Sequence, residues 1–181
     1  MEKTPVSVVI RPLREEERPQ VRDFLHLAIF VPEGAVPPDV SVLDEPVLRI
    51  YYEDFGRPDD VALVAERKGQ IVGMAWSRMF SDEPSGFGTL DRDTPECSVS
   101  VRSEFRGRGI GTDLMKGLLS ELRRREIPRV SLSVQLENPA IFLYRGLGFV
   151  TVAQRNGDVL MVCDLSGQGR QTANGKPGKP K

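Results

Sequence analysis

The chain has 181 residues, enough for one domain with an ordinary hydrophobic core. Its 39% hydrophobic and 28% charged residues suit a soluble globular protein, and a net charge of −1 argues against a general nucleic-acid binder. Two cysteines and a single histidine give no basis for a disulfide framework, a zinc site or a histidine triad. No apolar run approaches about 18 residues, and Arg11 cuts short the only N-terminal apolar stretch, so neither a membrane span nor a signal peptide is expected. The expected setting is the cytoplasm.

Val6–Leu13, β-branched and broken by Pro12, reads as a first strand. Glu15-Glu16-Glu17-Arg18-Pro19 opens a helix carrying Val21, Phe24, Leu25 and Ala28 at helical spacing. His26 lies in that apolar run and reads as a packing or surface residue. Asp44-Glu45-Pro46 starts a second helix that Gly56 and Pro58 end. Ala62–Glu66 and Gln70–Phe80 form a strand pair around Arg67-Lys68-Gly69, and Gly73 within it signals a bulge or a close backbone approach.

Ser81–Pro95 is a loop, and Glu96–Val101 a strand. Ile110, Leu114, Leu118 and Leu122, with Met115 and Leu119 beside them, mark the clearest amphipathic helix, which Pro128 stops. Arg123-Arg124-Arg125 is its solvated end. Val130, Leu132 and Val134 alternate with serines in another strand, Asn138-Pro139 caps a short helix, and Phe149–Ala153 with Val159–Leu165 forms a hairpin around Asn156-Gly157. Residues 166–181 carry four bases, no acid and almost no apolar side chain, and are expected to be a disordered basic tail behind a domain of residues 1–165. Of the 25 bases, 21 then remain in the body against 26 acids. This order predicts an α/β (mixed α+β) fold, with one mixed sheet and helices on both faces.

The stretch Val99-Ser100-Val101-Arg102-Ser103-Glu104-Phe105-Arg106-Gly107-Arg108-Gly109-Ile110-Gly111-Thr112 combines a strand end, glycines that permit tight turning and a helix N-terminus with unpaired N–H groups. Such a junction is a phosphate cradle. It fits neither a P-loop, which needs Lys-Ser/Thr after the last glycine, nor the Gly-x-Gly-x-x-Gly dinucleotide fingerprint, because Thr112 stands where the third glycine belongs.

Arg106-x-x-Gly109-x-Gly111 resembles the pyrophosphate-binding motif of the GNAT superfamily, the acyl-CoA-dependent N-acyltransferases. Asn138-Pro139-Ala140, Leu143-Tyr144 and Leu147-Gly148-Phe149 are similar to the family's second block. The interval from Asn138 to Tyr144 is one residue shorter than in many members. The resemblance implies a GNAT-like fold: a mostly antiparallel sheet of six to seven strands, a splayed central pair and helices on both faces. It also implies acetyl-CoA as co-substrate, a small-molecule or peptide amine as acceptor, and a monomer or homodimer with no nucleic-acid or membrane partner.

By the same resemblance, Val99, Ser100 and Val101 would offer backbone groups to the thioester and the pantetheine arm. Arg106, Gly107, Arg108, Gly109, Ile110, Gly111 and Thr112, with Asn138, would complete the cofactor site, and Tyr144 would protonate the leaving thiolate. Glu96 is either a base that draws the amine proton through water or a solvated strand end, since its offset from Val101 is one residue short of the common pattern. Cys97 has no cationic neighbour in sequence to lower its pKa, so direct attack of the amine on acetyl-CoA in a ternary complex is expected. A module that binds or senses acyl-CoA without turnover is the alternative. Residues 33–60 hold eight acids against two bases and residues 81–96 five against one, a rim that would favour a cationic amine or serve solubility. Tyr51, Tyr52 and Trp76 would line a pocket or fill the core.

Overall fold

The computed structural model describes residues 7–80, 83–155 and 157–168. Seven strands form one sheet: β1 (Val9–Pro12), β2 (Val61–Arg67), β3 (Gln70–Arg78), β4 (Glu96–Val101), β5 (Arg129–Gln135), β6 (Val150–Arg155) and β7 (Asp158–Asp164). Their spatial order is β1-β2-β3-β4-β5-β7-β6, with every pairing antiparallel except β4–β5. Helices α1 (Gln20–Ala28) and α2 (Pro46–Arg49) cover one face, and α3 (Ile110–Arg124) and α4 (Ala140–Gly146) the other. The expected mixed sheet with two covered faces is the observed one. The first strand is Val9–Pro12, paired with Leu63–Glu66, with Leu13 N–H donating to the Ala62 carbonyl at 3.0 Å just beyond it; Val6 of the expected strand lies outside the described residues.

The amphipathic spacing of α3 becomes its packing. Ile110, Leu114, Met115, Leu118, Leu119 and Leu122 are all buried against the sheet, each side chain contributing about 1.5–3 kcal/mol. Gly73 lets the helix come close: a Cβ there would stand 2.9 Å from Leu114 Cδ1. Beside it the register shifts, with Ala65 opposite Gly73 but Glu66 opposite Ile71, so Val72 is the extra residue of a bulge. Lys68 and Gly69 both take positive φ in the β2–β3 turn (50° and 78°), as a two-residue hairpin turn requires.

The second face packs Val21, Phe24, Leu25, Leu43, Tyr51, Trp76 and Phe80 between α1, α2 and the sheet. Under it lies a buried ion pair: Arg78 donates to Asp60 (2.9 and 2.7 Å) and to the carbonyls of Ile50 and Glu53 (2.7 and 2.8 Å). Asn156, half of the expected β6–β7 turn, and tail residues 169–181 lie outside the described residues; Gly157 takes φ +89°. Among the described residues no helix is long and apolar enough to cross a membrane.

Candidate active site

The site begins where two parallel strands part. β4 and β5 pair only at Glu96 and Ser131, where Ser131 N–H donates to the Pro95 carbonyl at 2.9 Å. On its other side β4 pairs with β3 along its whole length, from Arg78↔Glu96 to Gly73↔Val101. Arg102 N–H donates to Val72 O at 2.9 Å in this ladder. Backbone direction alternates along a strand, so the groups of Ser100 point toward β3, while those of Val99 and Val101 point into the gap facing β5. The three expected backbone suppliers are therefore two. Ser100 contributes its side chain to the wall, and its hydroxyl donates to the Phe24 carbonyl at 2.7 Å.

The gap opens into a cleft of about 780 Å³. Its floor is Val99–Val101, and one wall is the cradle. Gly107 and Gly109 take φ +70° and +82°, and Gly109, the N-cap of α3, has no Cβ to obstruct the opening and no side chain capping the helix. The first-turn N–H groups and the positive end of the helix dipole therefore face the cleft, whose lining includes Gly107, Gly109, Ile110, Gly111 and Thr112. These features fit a pyrophosphate. Arg106 also lines it, with Nε donating to Val101 O (2.8 Å) and Nη2 to Leu27 O (3.4 Å). Arg108 does not line it; its guanidinium donates to Glu104 O at 3.4 Å.

The opposite wall comes from α4. Asn138 lines the cleft and accepts the Ala140 N–H at 2.9 Å, which starts the helix one residue later than Asn138-Pro139 implied. Tyr144, one turn further, is buried edge-on against Phe149 (5.8 Å, 61°) and lines the cleft. Burial, and then the neighbouring Cys97, hold its phenol well above the ordinary range, so it is a proton donor rather than a phenolate. Burial and then Glu96 likewise push the Cys97 thiol far up, which makes it a poor nucleophile.

Sequence reasoning missed the third wall. Leu27–Val31, Pro37 and Pro38 line the cleft, and His26 pins this segment by donating from Nε2 to the Pro38 carbonyl at 2.9 Å. Pro32, Gly34, Pro37 and Pro38 mark this segment as a loop but give no sign of where it folds. His26 is thus a wall residue with a specific partner.

Glu96 is not a solvated strand end. It is buried on the α1–α2 face, where its Oε1 accepts from Tyr51 Oη at 2.7 Å. Desolvation raises its pKa to about 7, against the lowering effect of hydrogen bonds from Tyr51, Gly88 and Thr89. It does not line the cleft and stands four residues before Ser100 on the same face of β4, roughly 13 Å along the strand. Tyr51 and Trp76 are core residues, and Tyr52 donates to Leu43 O at 3.0 Å; none of the three lines the cleft. Among the described residues no acidic side chain lines it either. Asp44, Glu53, Asp60 and Asp91, four of the thirteen acids in those two segments, are paired with Arg22, Arg49, Arg78 and Arg129.

This fold and cleft agree with the comparisons to known proteins. The sequence model of the acetyltransferase (GNAT) family matches residues 26–149, and the chain belongs to that family. A mycothiol acetyltransferase of Saccharomonospora viridis is 32% identical over 155 residues, covering 77% of this chain and 50% of the relative. N-acetyltransferase 8F1 of Mus musculus is 34% identical over 92 residues, covering 50% and 40%. The chain thus spans half or less of the length of these curated relatives. Among solved structures, the ribosomal-protein-alanine N-acetyltransferase of Brucella melitensis superposes with a TM-score of 0.61 at 28% identity, covering 86% of this chain and 99% of that one. The PaiA N-acetyltransferase of Thermoplasma acidophilum, solved in complex with coenzyme A, shares the fold with a TM-score of 0.62 at 16% identity, covering 88% and 99%.

Proposed function

We propose that this chain transfers the acetyl group of acetyl-CoA to a primary amine by direct attack in a ternary complex. The observation that carries the reading is the parting of β4 from β5 beside an uncapped helix N-terminus, with a buried neutral phenol on the facing wall. Gly107 and Gly109–Thr112 hold the pyrophosphate by backbone N–H groups, with Arg106 adding charge. Val99 and Val101 present backbone groups to the pantetheine arm and to the thioester oxygen, where a fixed N–H stabilises developing charge. Tyr144 gives its proton to the departing thiolate. An ammonium acceptor must lose a proton before it attacks, and Glu96, buried on the α1–α2 face about 13 Å along β4 from Ser100, takes it through a chain of waters. The acceptor is a small-molecule or peptide amine.

The test is release of free thiol from acetyl-CoA with a panel of amines, polyamines, aminoglycosides, amino acids and peptides, run beside calorimetry of CoA binding. Turnover on at least one amine is expected. Failure to bind CoA overturns the reading, and binding without turnover on any amine replaces it with an acyl-CoA-binding module.

A further inference from the structure

The carboxyl of Glu96 is enclosed by a loop, not by the cleft. Tyr51, which follows α2, donates its hydroxyl to Glu96 Oε1 (2.7 Å) and accepts the Phe87 N–H at the same oxygen (2.7 Å). Thr89 makes a longer contact of 3.4 Å to Oε2. The fit leaves no room for side chains: a Cβ on Gly86 would stand 2.2 Å from Glu96 Oε2 and 2.7 Å from Tyr51 Oη. A Cβ on Gly88 would stand 2.5 Å from Ser133 N, on the strand that leaves β4. The Gly86–Thr89 loop is therefore wedged between Glu96 and β5, on the face opposite Tyr144, and stacks Phe87 on the Tyr51 ring (6.4 Å, 17°).

We propose that Tyr51 is a positioning residue for acyl transfer: its hydroxyl ties the Gly86–Thr89 loop to Glu96, so that seating of the loop and readiness of Glu96 to take a proton are one event. The inference rests on the acetyltransferase reading above. Burial raises the phenol of Tyr51 well above its ordinary range, so it stays a donor while Glu96 titrates. The other titratable or charged groups around Glu96 are Cys97 on its own strand and Arg78, its register partner on β3. Arg78 is spent on Asp60 and two carbonyls. Among the described residues, the loop and β5 bring the neutral groups of Gly88, Thr89, Ser131 and Ser133. Tyr51 is thus the one side chain whose hydrogen bond reaches both the loop and the acid among the described residues.

The test follows Glu96 itself, independently of turnover. Its carboxyl is observed by NMR of ¹³C-glutamate-labelled full chain, assigned with Glu96→Gln, while hydrogen exchange reads the Phe87 amide. Tyr51→Phe keeps the ring but removes its tie, leaving the direct contacts of Gly88 and Thr89 to the acid. The Glu96 midpoint moves to higher pH, Phe87 exchanges faster, and the acid limb of kcat/KM moves up with the midpoint, while CoA affinity stays within about twofold. Gly86→Ala lifts the loop and exposes the carboxyl to bulk solvent, so the midpoint moves the other way, toward the ordinary carboxylate range, again with faster exchange at Phe87. An unchanged midpoint and unchanged exchange in Tyr51→Phe overturn the tie. A midpoint that moves while the pH profile of kcat/KM stays fixed overturns its role in transfer. A wild-type chain that acetylates no amine, yet shows both shifts, retains the tie and loses the acetyltransferase reading.

Discussion

Arg106 donates its Nε–H to the carbonyl of Val101 at 2.8 Å, and this bond closes the turn between the strand and the cradle. The carbonyl it engages is one of the groups that point into the gap beside β5. Its guanidinium also reaches the Leu27 carbonyl near the end of α1. A residue placed by resemblance as a phosphate ligand is thus also the brace that holds the floor and two walls of the cleft in register. We predict that Arg106→Ala weakens CoA binding at least tenfold, since a charge-assisted bond and a cation near the pyrophosphate are lost together. Arg108→Ala, which removes a side chain outside the cleft, changes it much less. Calorimetry on both variants checks the difference.

Tyr144→Phe isolates the acid. The ring keeps its edge contact with Phe149 and its place in the core, so CoA affinity stays within about twofold. Turnover falls by roughly 10²-fold if the phenol protonates the thiolate. Steady-state kinetics with any accepted amine decide it, and an unchanged kcat removes Tyr144 from the role.

The contrast between these residues and Glu96 shows what the sequence made legible. The cradle, the amphipathic α3 and the Tyr144 block are local: spacing, glycine placement and capping chemistry lie within a few residues of one another. Long-range partners were not legible. Tyr51 meets Glu96 across 45 residues, and Arg78 meets Asp60 across 18. Neither pairing has a periodicity of its own, because each depends on strand register and on the path of a loop. The negative rim has the same limit. Counting acids says nothing about which of them the fold has already paired. Ser100 exposes a finer limit, since its inclusion among the backbone suppliers turned on the phase of the β3–β4 ladder.

Arg78 and Asp60 offer a test of stability rather than catalysis. Their side chains are 1% and 2% exposed, and the guanidinium also satisfies the carbonyls of Ile50 and Glu53 at the end of α2. Arg78→Ala leaves a buried carboxylate and two carbonyls without their donor. We predict a loss of about 3–5 kcal/mol, read as a lower denaturant midpoint. A loss under about 1 kcal/mol would mean that water replaces the guanidinium.

Glu96 carries a stability signature of its own with a definite sign. Burial raises its folded-state pKa to about 7 from an ordinary 4.5. Between those values the folded chain holds a proton that the unfolded chain has released, so stability falls as pH rises through the window. Full ionisation of the buried acid costs on the order of 3 kcal/mol by pH 8. Glu17 and Glu121, each lowered to about 2 by arginine partners, act in the opposite sense, but their window lies below pH 4.5. Glu96→Gln keeps the shape of the side chain and removes the charge. We therefore predict that the variant gains stability over the wild type progressively from pH 5 to pH 8, with its largest advantage at the alkaline end. Thermal melts of both proteins across that range measure the difference. A gap that does not widen with pH would show that Glu96 ionises at its ordinary value in spite of its burial.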